Sequence, residues 1–426
     1  MPRRYLLAFL LLAVSAQAQI FQPAGTIQLG PSAYYVIADF NLDGRLDIAK
    51  ASGSNSKLSS FLGGTDGNIA LVSTQLDIET PLGLYQGDYD GDGKPDVVVV
   101  SGSLFSEPSA RIYLGTGTGT FTARPTLLVP DIVRAATPGD FDSDGNLDLA
   151  IVTATANGTS TLSALRGNGA GNLVIANLTA PIVLPVPAGS VIGDMQTVDL
   201  NADGKLDIVM TVTNANGVGL AVAIGDGRGL FTATSTIGSQ PPLNTPAPRL
   251  ALADFNGDQR PDVVMFGYLR DSVTMWFNSG GVLVPQASSS VNLGSNPYDI
   301  AAADFDLDGR MDWAVARQLP TGTPQLFVGL GNGAGQATLA TGSPFPYGGA
   351  TPLLEVGDFN GDRRQDLLIE EGIPEVLHAL LNIVPRPPTL VSQDISFPQP
   401  PDRGLTDGNL TLLATASSGL PVIFAG

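Results

Sequence analysis

The chain has no cysteine and only one histidine in 426 residues. Without cysteine there are no disulfides, no thiolate nucleophile and no cysteine-based metal site. The histidine, His378, sits in the apolar run from Val376 to Leu381, where a hydrogen-bonded strand residue is a simpler reading than a general base. No Gly-x-Ser-x-Gly elbow occurs. Glycine-rich segments do occur, but none carries the Lys-Ser or Lys-Thr pair of a phosphate-binding loop. No catalytic constellation is visible, so the chain reads as a non-enzyme. Runs long enough to cross a bilayer are also missing: the N-terminal one, Tyr5 to Val14, has about ten residues where a span needs about twenty. Arg3 and Arg4 precede that run and Ala16-Gln17-Ala18 follows it. This is the order of a secretory signal covering residues 1–18, which predicts a secreted or cell-surface protein.

What the sequence does have is one nine-residue acidic loop, written seven times. Oxygen-bearing side chains fall at positions 1, 3, 5 and 9 of each copy. They are Asp39, Asn41, Asp43 and Asp47; Asp88, Asp90, Asp92 and Asp96; Asp140, Asp142, Asp144 and Asp148; and Asp199, Asn201, Asp203 and Asp207. The last three copies hold Asp254, Asn256, Asp258 and Asp262; Asp304, Asp306, Asp308 and Asp312; and Asp358, Asn360, Asp362 and Asp366. Twenty-four of the forty acidic residues lie in these loops, so most of the net charge of −19 is local. The acidic balance argues against nucleic acid as a partner.

An all-oxygen set of this kind suits a hard cation. Calcium takes six to eight oxygens in flexible geometry, whereas magnesium demands an octahedron and keeps its waters. Up to seven calcium ions are expected, each also taking a backbone carbonyl at position 7. Glycine at position 6 would let the chain reverse around the ion. Two copies depart from this, with Gln259 and Arg363 at position 6; those loops are expected to be weaker or differently shaped. The three loops with four aspartates should bind most tightly. A helical calcium hand is excluded, because its position-12 Glu is replaced by Lys50, Val99, Ile151, Met210, Met265, Val315 and Ile369.

The loops recur every 49 to 59 residues, the period of an array or propeller. A short apolar stretch precedes each loop, and a β-branched run such as Val97 to Val100 follows it. A glycine-rich hairpin turn recurs about twenty residues downstream, as at Phe61 to Gly67, Tyr113 to Gly119, Leu165 to Gly171, Ile224 to Gly229 and Val328 to Gly335. The copy at Phe277 to Gly281 is degenerate. Each repeat thus holds four strands, one propeller blade. The fold expected is all-β: a seven-bladed β-propeller with four-stranded blades over residues 19–384. The seventh blade lacks its own outer strand, and Ala24 to Leu29 should pair with it and close the ring, since an open edge invites aggregation. Pro385 to Pro388 forms a stiff linker, and residues 389–426 a short C-terminal β segment.

The pattern Asp-Phe-Asn-x-Asp-Gly-x-x-Asp, followed by an apolar strand and a Leu-Gly-Asn-Gly-x-Gly turn, resembles the FG-GAP/VCBS repeats of secreted bacterial proteins. It is similar to the calcium loops of the integrin α-subunit propeller. The resemblance implies calcium loops on one face and ligands taken on the other. Leu412 to Val422 looks like the opening of a bacterial Ig-like module. The expected function is a monomeric adhesion or interaction module for an extracellular protein or glycan. A polysaccharide lyase, hydrolase or lectin built on the same propeller is the alternative.

Overall fold

The computed structural model describes residues 20–385 apart from 29–32, 54–55, 65–68, 104–105, 156, 176–180, 216, 238–247, 268–269, 295–296, 319–323, 348–352 and 372–375. Beyond residue 385 it describes only 395–396 and 415–416. The signal segment 1–18 and most of 389–426 therefore lie outside the described residues.

The chain separates into two compact units, residues 1–384 and 385–426. The first is a seven-bladed propeller of antiparallel sheets. Blade 1 shows the pattern: inner strand Ala33–Ala38, second Asp47–Ser52, third Lys57–Gly63, outer Ile69–Asp77. The acidic loop joins the inner strand to the second, and every second strand begins at the position-9 aspartate. In blades 2, 3 and 6 the outer strand is broken into two short pieces. In the second unit, Ile395–Ser396 pairs with Thr415–Ala416.

The expected closure is present. Strand Phe21–Gln28 pairs antiparallel with Val376–Asn382, the third strand of blade 7, and supplies that blade's outer strand. It begins at Phe21, three residues before the start expected from sequence, and the packing explains why. Phe21 meets Phe305 edge-on at 5.4 Å. Phe40 meets Phe121 and Phe141 meets Phe231 in the same way, at 5.3 and 5.4 Å. Phe121 and Phe231 open the outer strands of blades 2 and 4, so Phe21 takes the corresponding place in blade 7.

The core lies between blades. Seven apolar clusters fill the seven junctions, and one of them (Tyr35, Ile48 and Phe61 against Phe359, Leu368 and Leu377) joins blade 7 to blade 1. Position 2 of each acidic loop plugs a junction: Phe40, Tyr89, Phe141, Leu200, Phe255, Phe305 and Phe359 are all buried. Burying a large apolar side chain contributes about 1.5–3 kcal/mol, so the loop sequence also encodes blade packing.

Candidate metal loops and a central channel

Each loop is folded by its own carboxylates, in the same way all seven times. The backbone N–H of position 5 forks between side-chain oxygens of positions 1 and 3, at 3.0 and 3.0 Å in the first loop and 2.9 and 2.9 Å in the seventh. The position-6 N–H donates to the other oxygen of position 1, and the position-7 N–H to position 5, at 2.9 Å each in the second loop. Position 9 does a different job. Asp96 is buried; one oxygen accepts from Tyr89 N–H at 2.8 Å and the other from Gly115 N–H at 2.7 Å. It ties the start of the loop to the end of the third strand. Asp148, Asp207, Asp262, Asp312 and Asp366 repeat this tie. In the first loop Asp47 accepts from Asn41 and Gly63.

The backbone corrects one expectation. Positions 4 and 6 are both left-handed in every loop, with φ between 60° and 88°. Gln259 and Arg363 adopt φ of 65° and 64° and hold the same N–H contacts, so their loops are not differently shaped. Both of those loops carry glycine at position 4 instead, Gly257 and Gly361. The strained residue is Leu42, Ser143, Ala202 or Leu307 at position 4 in the others, and only the second loop has glycine at both places. Each of those six loops thus carries one non-glycine left-handed residue, at about 1–2 kcal/mol.

Three loops bring three carboxylates within mutual reach, with ligand atoms inside 4.8 Å of one another. They are Asp88, Asp90 and Asp96; Asp140, Asp142 and Asp148; and Asp304, Asp306 and Asp308. These are the three loops with four aspartates. Burial above all, with neighbouring loop carboxylates adding, pushes the position-9 carboxyls of these loops up, Asp96 and Asp148 to about 6 and Asp312 to about 7. A cation relieves that repulsion, and an all-oxygen donor set fits a hard one. On the rim, position 7 offers a partial substitute: Arg45 pairs with Asp43 at 2.7 Å and Arg364 with Asp362 at 3.1 Å, and Lys94 and Arg310 pair with Asp92 and Asp308.

The loops also latch blade to blade. Gly119 N–H, in the glycine-rich turn of blade 2, donates to the Phe40 carbonyl of blade 1 at 2.9 Å. Gly171, Gly229 and Gly335 reach Tyr89, Phe141 and Phe255 likewise. Blades 5 and 7 lack a matching glycine turn, yet the contact persists. Asn278 Nδ2 donates to the Leu200 carbonyl at 2.6 Å and Asn382 Nδ2 to the Phe305 carbonyl at 2.8 Å. The copy that looked degenerate does the same work through a side-chain amide.

A second site has no counterpart in the sequence reading. Inner strands run from a cavity of about 530 Å³ at their N-terminal ends to the acidic loops at their C-terminal ends. The two sites are thus separated by five residues of extended chain, about 17 Å. The cavity is lined by Tyr34, Tyr85, Arg134, Asp194, Arg249, Tyr298 and Glu355, among others. A further cavity of about 320 Å³ shares Asp194, Arg249 and Glu355 and adds Gln196 and Asp299. β-Bulges in the inner strands fall at Leu82, Arg134, Gly193-Asp194 and Tyr298, all of which line the first cavity. Bulges re-aim side chains in this way beside functional sites.

Two of the channel acids are structural. Asp299 accepts from Ile300 and Leu354 N–H at 2.8 Å each and lies 3.7 Å from the Arg249 guanidinium. Asp194 accepts from Met195, Gln196 and Leu250. Burial, and then the nearby Asp299 charge, pushes Glu355 up to about 7. A repeat-based reading finds the channel only if the strands are aligned on the loops. Tyr34, Asp194, Arg249 and Asp299 then fall five residues before the first aspartate, and Tyr85, Gln196 and Glu355 three before it.

The FG-GAP-like repeat family matches residues 39–99, 88–151, 140–210, 199–265 and 254–315. The chain belongs to the FG-GAP-like repeat family. No curated protein sequence matches it. Among solved structures, this FG-GAP repeat propeller is similar to BBS1N in its complex with ARL6DN, at 15% identity over 87% of this chain and 98% of that one, TM-score 0.55. An Agrocybe aegerita lectin that recognises non-reducing terminal N-acetylglucosamine aligns at 17% identity over 83% and 86%, TM-score 0.52. A Burkholderia pseudomallei lectin aligns at 13% identity over 83% and 96%, TM-score 0.54. Identities this low carry the fold. No helix among the described residues is long and apolar enough to cross a membrane.

Proposed function

We propose that the chain is an exported, monomeric, calcium-holding FG-GAP propeller that binds an extracellular glycan or protein. The acidic clusters can hold a metal ion; the assignment to calcium rests on the all-oxygen donor set and on the flexible, tight loop. Positions 1, 3, 5 and 9 of the seven loops would hold it. The observation that carries the reading is the seven-fold repetition of one loop geometry at the hinge between inner and second strands. Calcium bound there would cancel the repulsion among loop carboxylates and stiffen a fold that has no disulfide. The arginine-rich N-terminus followed by an apolar run supports export.

The test is to equilibrate purified full-length protein with calcium, dialyse it, and measure bound metal. Several calcium ions per chain are expected, falling when Asp88, Asp90 and Asp92 are replaced together by Asn. A chain that retains no calcium would contradict the reading. A carbohydrate-active enzyme remains the second reading, favoured by one observation: Glu355, pushed up to about 7, stands near Asp299 and Arg249 in an open channel. Turnover of polysaccharides that is lost in Glu355→Gln would establish it.

A further inference from the structure

We infer that the channel mouth opposite the acidic loops is a built binding site for a neutral saccharide ring, with Glu355, Arg134 and the tyrosines Tyr34 and Tyr85 as its contacts. The inference rests on the reading of the chain as a binding module and names where, and to what, it binds.

The site is assembled rather than incidental. Its residues come from several different blades, and bulges turn Arg134 and Tyr298 into it where a regular strand would not. Asp194 and Asp299 are fixed by backbone N–H groups of the neighbouring blades, and Asp299 also lies beside Arg249. They are the frame. Glu355 is different: its carboxylate lies on the cavity wall and accepts no hydrogen bond among the described residues. An acceptor left open beside a fixed frame is what a ligand hydroxyl would complete. Arg134 is exposed on the same wall and offers donors.

The balance of chemistry selects the ligand class. Two arginines, Arg134 and Arg249, and two acids, Asp194 and Glu355, line the cavity, with Asp299 in the adjoining one, so a strongly charged ligand of either sign meets repulsion. A peptide guanidinium would face Arg249 and Arg134, and a phosphate would face Asp194 and Glu355. A neutral polyhydroxyl ring meets neither problem. Its hydroxyls can donate to Glu355 and accept from Arg134, and its less polar face can rest on tyrosine. Tyr34 is 44% exposed at the mouth, unusual for a large aromatic residue in this ring, and tyrosine pairs an apolar face with a polar tip. The cavity volume lies in the usual range for small-molecule sites.

The experiment is binding of the full-length, calcium-loaded protein to a printed panel of neutral oligosaccharides, followed by titration of the best binder. Binding that falls at least tenfold in Arg134→Ala and in Glu355→Gln, but not in Thr118→Ala on the loop face, supports the site. Melting curves within a few degrees of wild type show that the variants are folded. The Tyr34→Ala change, at an exposed position, gives a second route if Glu355→Gln unfolds. Saccharide binding that survives all the channel variants would overturn the location and leave the module reading standing. No binding across the panel would overturn the saccharide class, as would binding of a basic peptide that Glu355→Gln abolishes.

Discussion

At the scale of single residues, the acidic loop combines backbone strain with electrostatic strain. Gly93 has φ of +81° and open space around the place of a Cβ. Gly93→Ala should therefore show the backbone cost alone, about 1–2 kcal/mol in urea unfolding. Gly115→Ala should cost more, because its Cβ would stand 2.1 Å from the Pro95 carbonyl oxygen. Equal costs would contradict this distinction. The position-9 carboxyls set a pH dependence. Asp47, Asp96, Asp148, Asp262 and Asp366 are pushed up to about 6, mainly by burial, from an ordinary value of 3.8. A carboxyl raised in the fold is worth most when protonated, so its contribution is lost as pH rises from about 4 to about 7. Metal-free protein should melt at a higher temperature at pH 5 than at pH 7.5. Calcium requires the ionised form, so its stabilising shift should be larger at pH 7.5. Metal-free melting that rises over this range would count against the buried carboxyls. The positions of all these oxygens were legible in the sequence. The second left-handed position was not, because leucine, serine and alanine at position 4 carry no glycine signal.

At the scale of elements, strands were readable from apolar runs, and turns from glycine. The latches between blades were not. Asn278 and Asn382 sit where other blades have glycine, and a pattern search scores them as losses. Their function appears only when Nδ2 is seen on the carbonyl of the preceding blade. Asn382→Asp would set a carboxylate against the Phe305 and Gln365 carbonyls, which Nδ2 contacts at 2.8 and 3.2 Å. A loss of about 1–3 kcal/mol is expected in urea unfolding. Asn332 is the control: its Oδ1 only accepts, from Ala334 and Gln336. Asn332→Asp should stay within about 0.5 kcal/mol. Similar losses at both positions would remove the latch argument. The closing strand makes its own prediction. Phe21 is buried against Phe305, so Phe21→Ala should cost about 3–5 kcal/mol. An unchanged midpoint would show that the N-terminal strand is dispensable.

At the scale of the whole molecule, the period of the loops made the seven-bladed ring legible, and the closing strand followed from a missing outer strand. The channel was hidden because its residues differ from blade to blade. A site built by seven unlike inner strands leaves no repeat to find. The ring then has two ends with different chemistry: repeated carboxylates at one, and a mixed, tyrosine-lined mouth at the other. Metal at the first end would hold the blades that shape the second. Ligand bound only by the folded state stabilises it by about 2.7 kcal/mol per site at a hundredfold excess over Kd. Calcium titration of the metal-free protein, followed by thermal melting, tests this most directly. A large, saturable rise in Tm, blunted by Asp92→Ala, is the predicted result. A Tm that is the same in calcium and in chelator would contradict it.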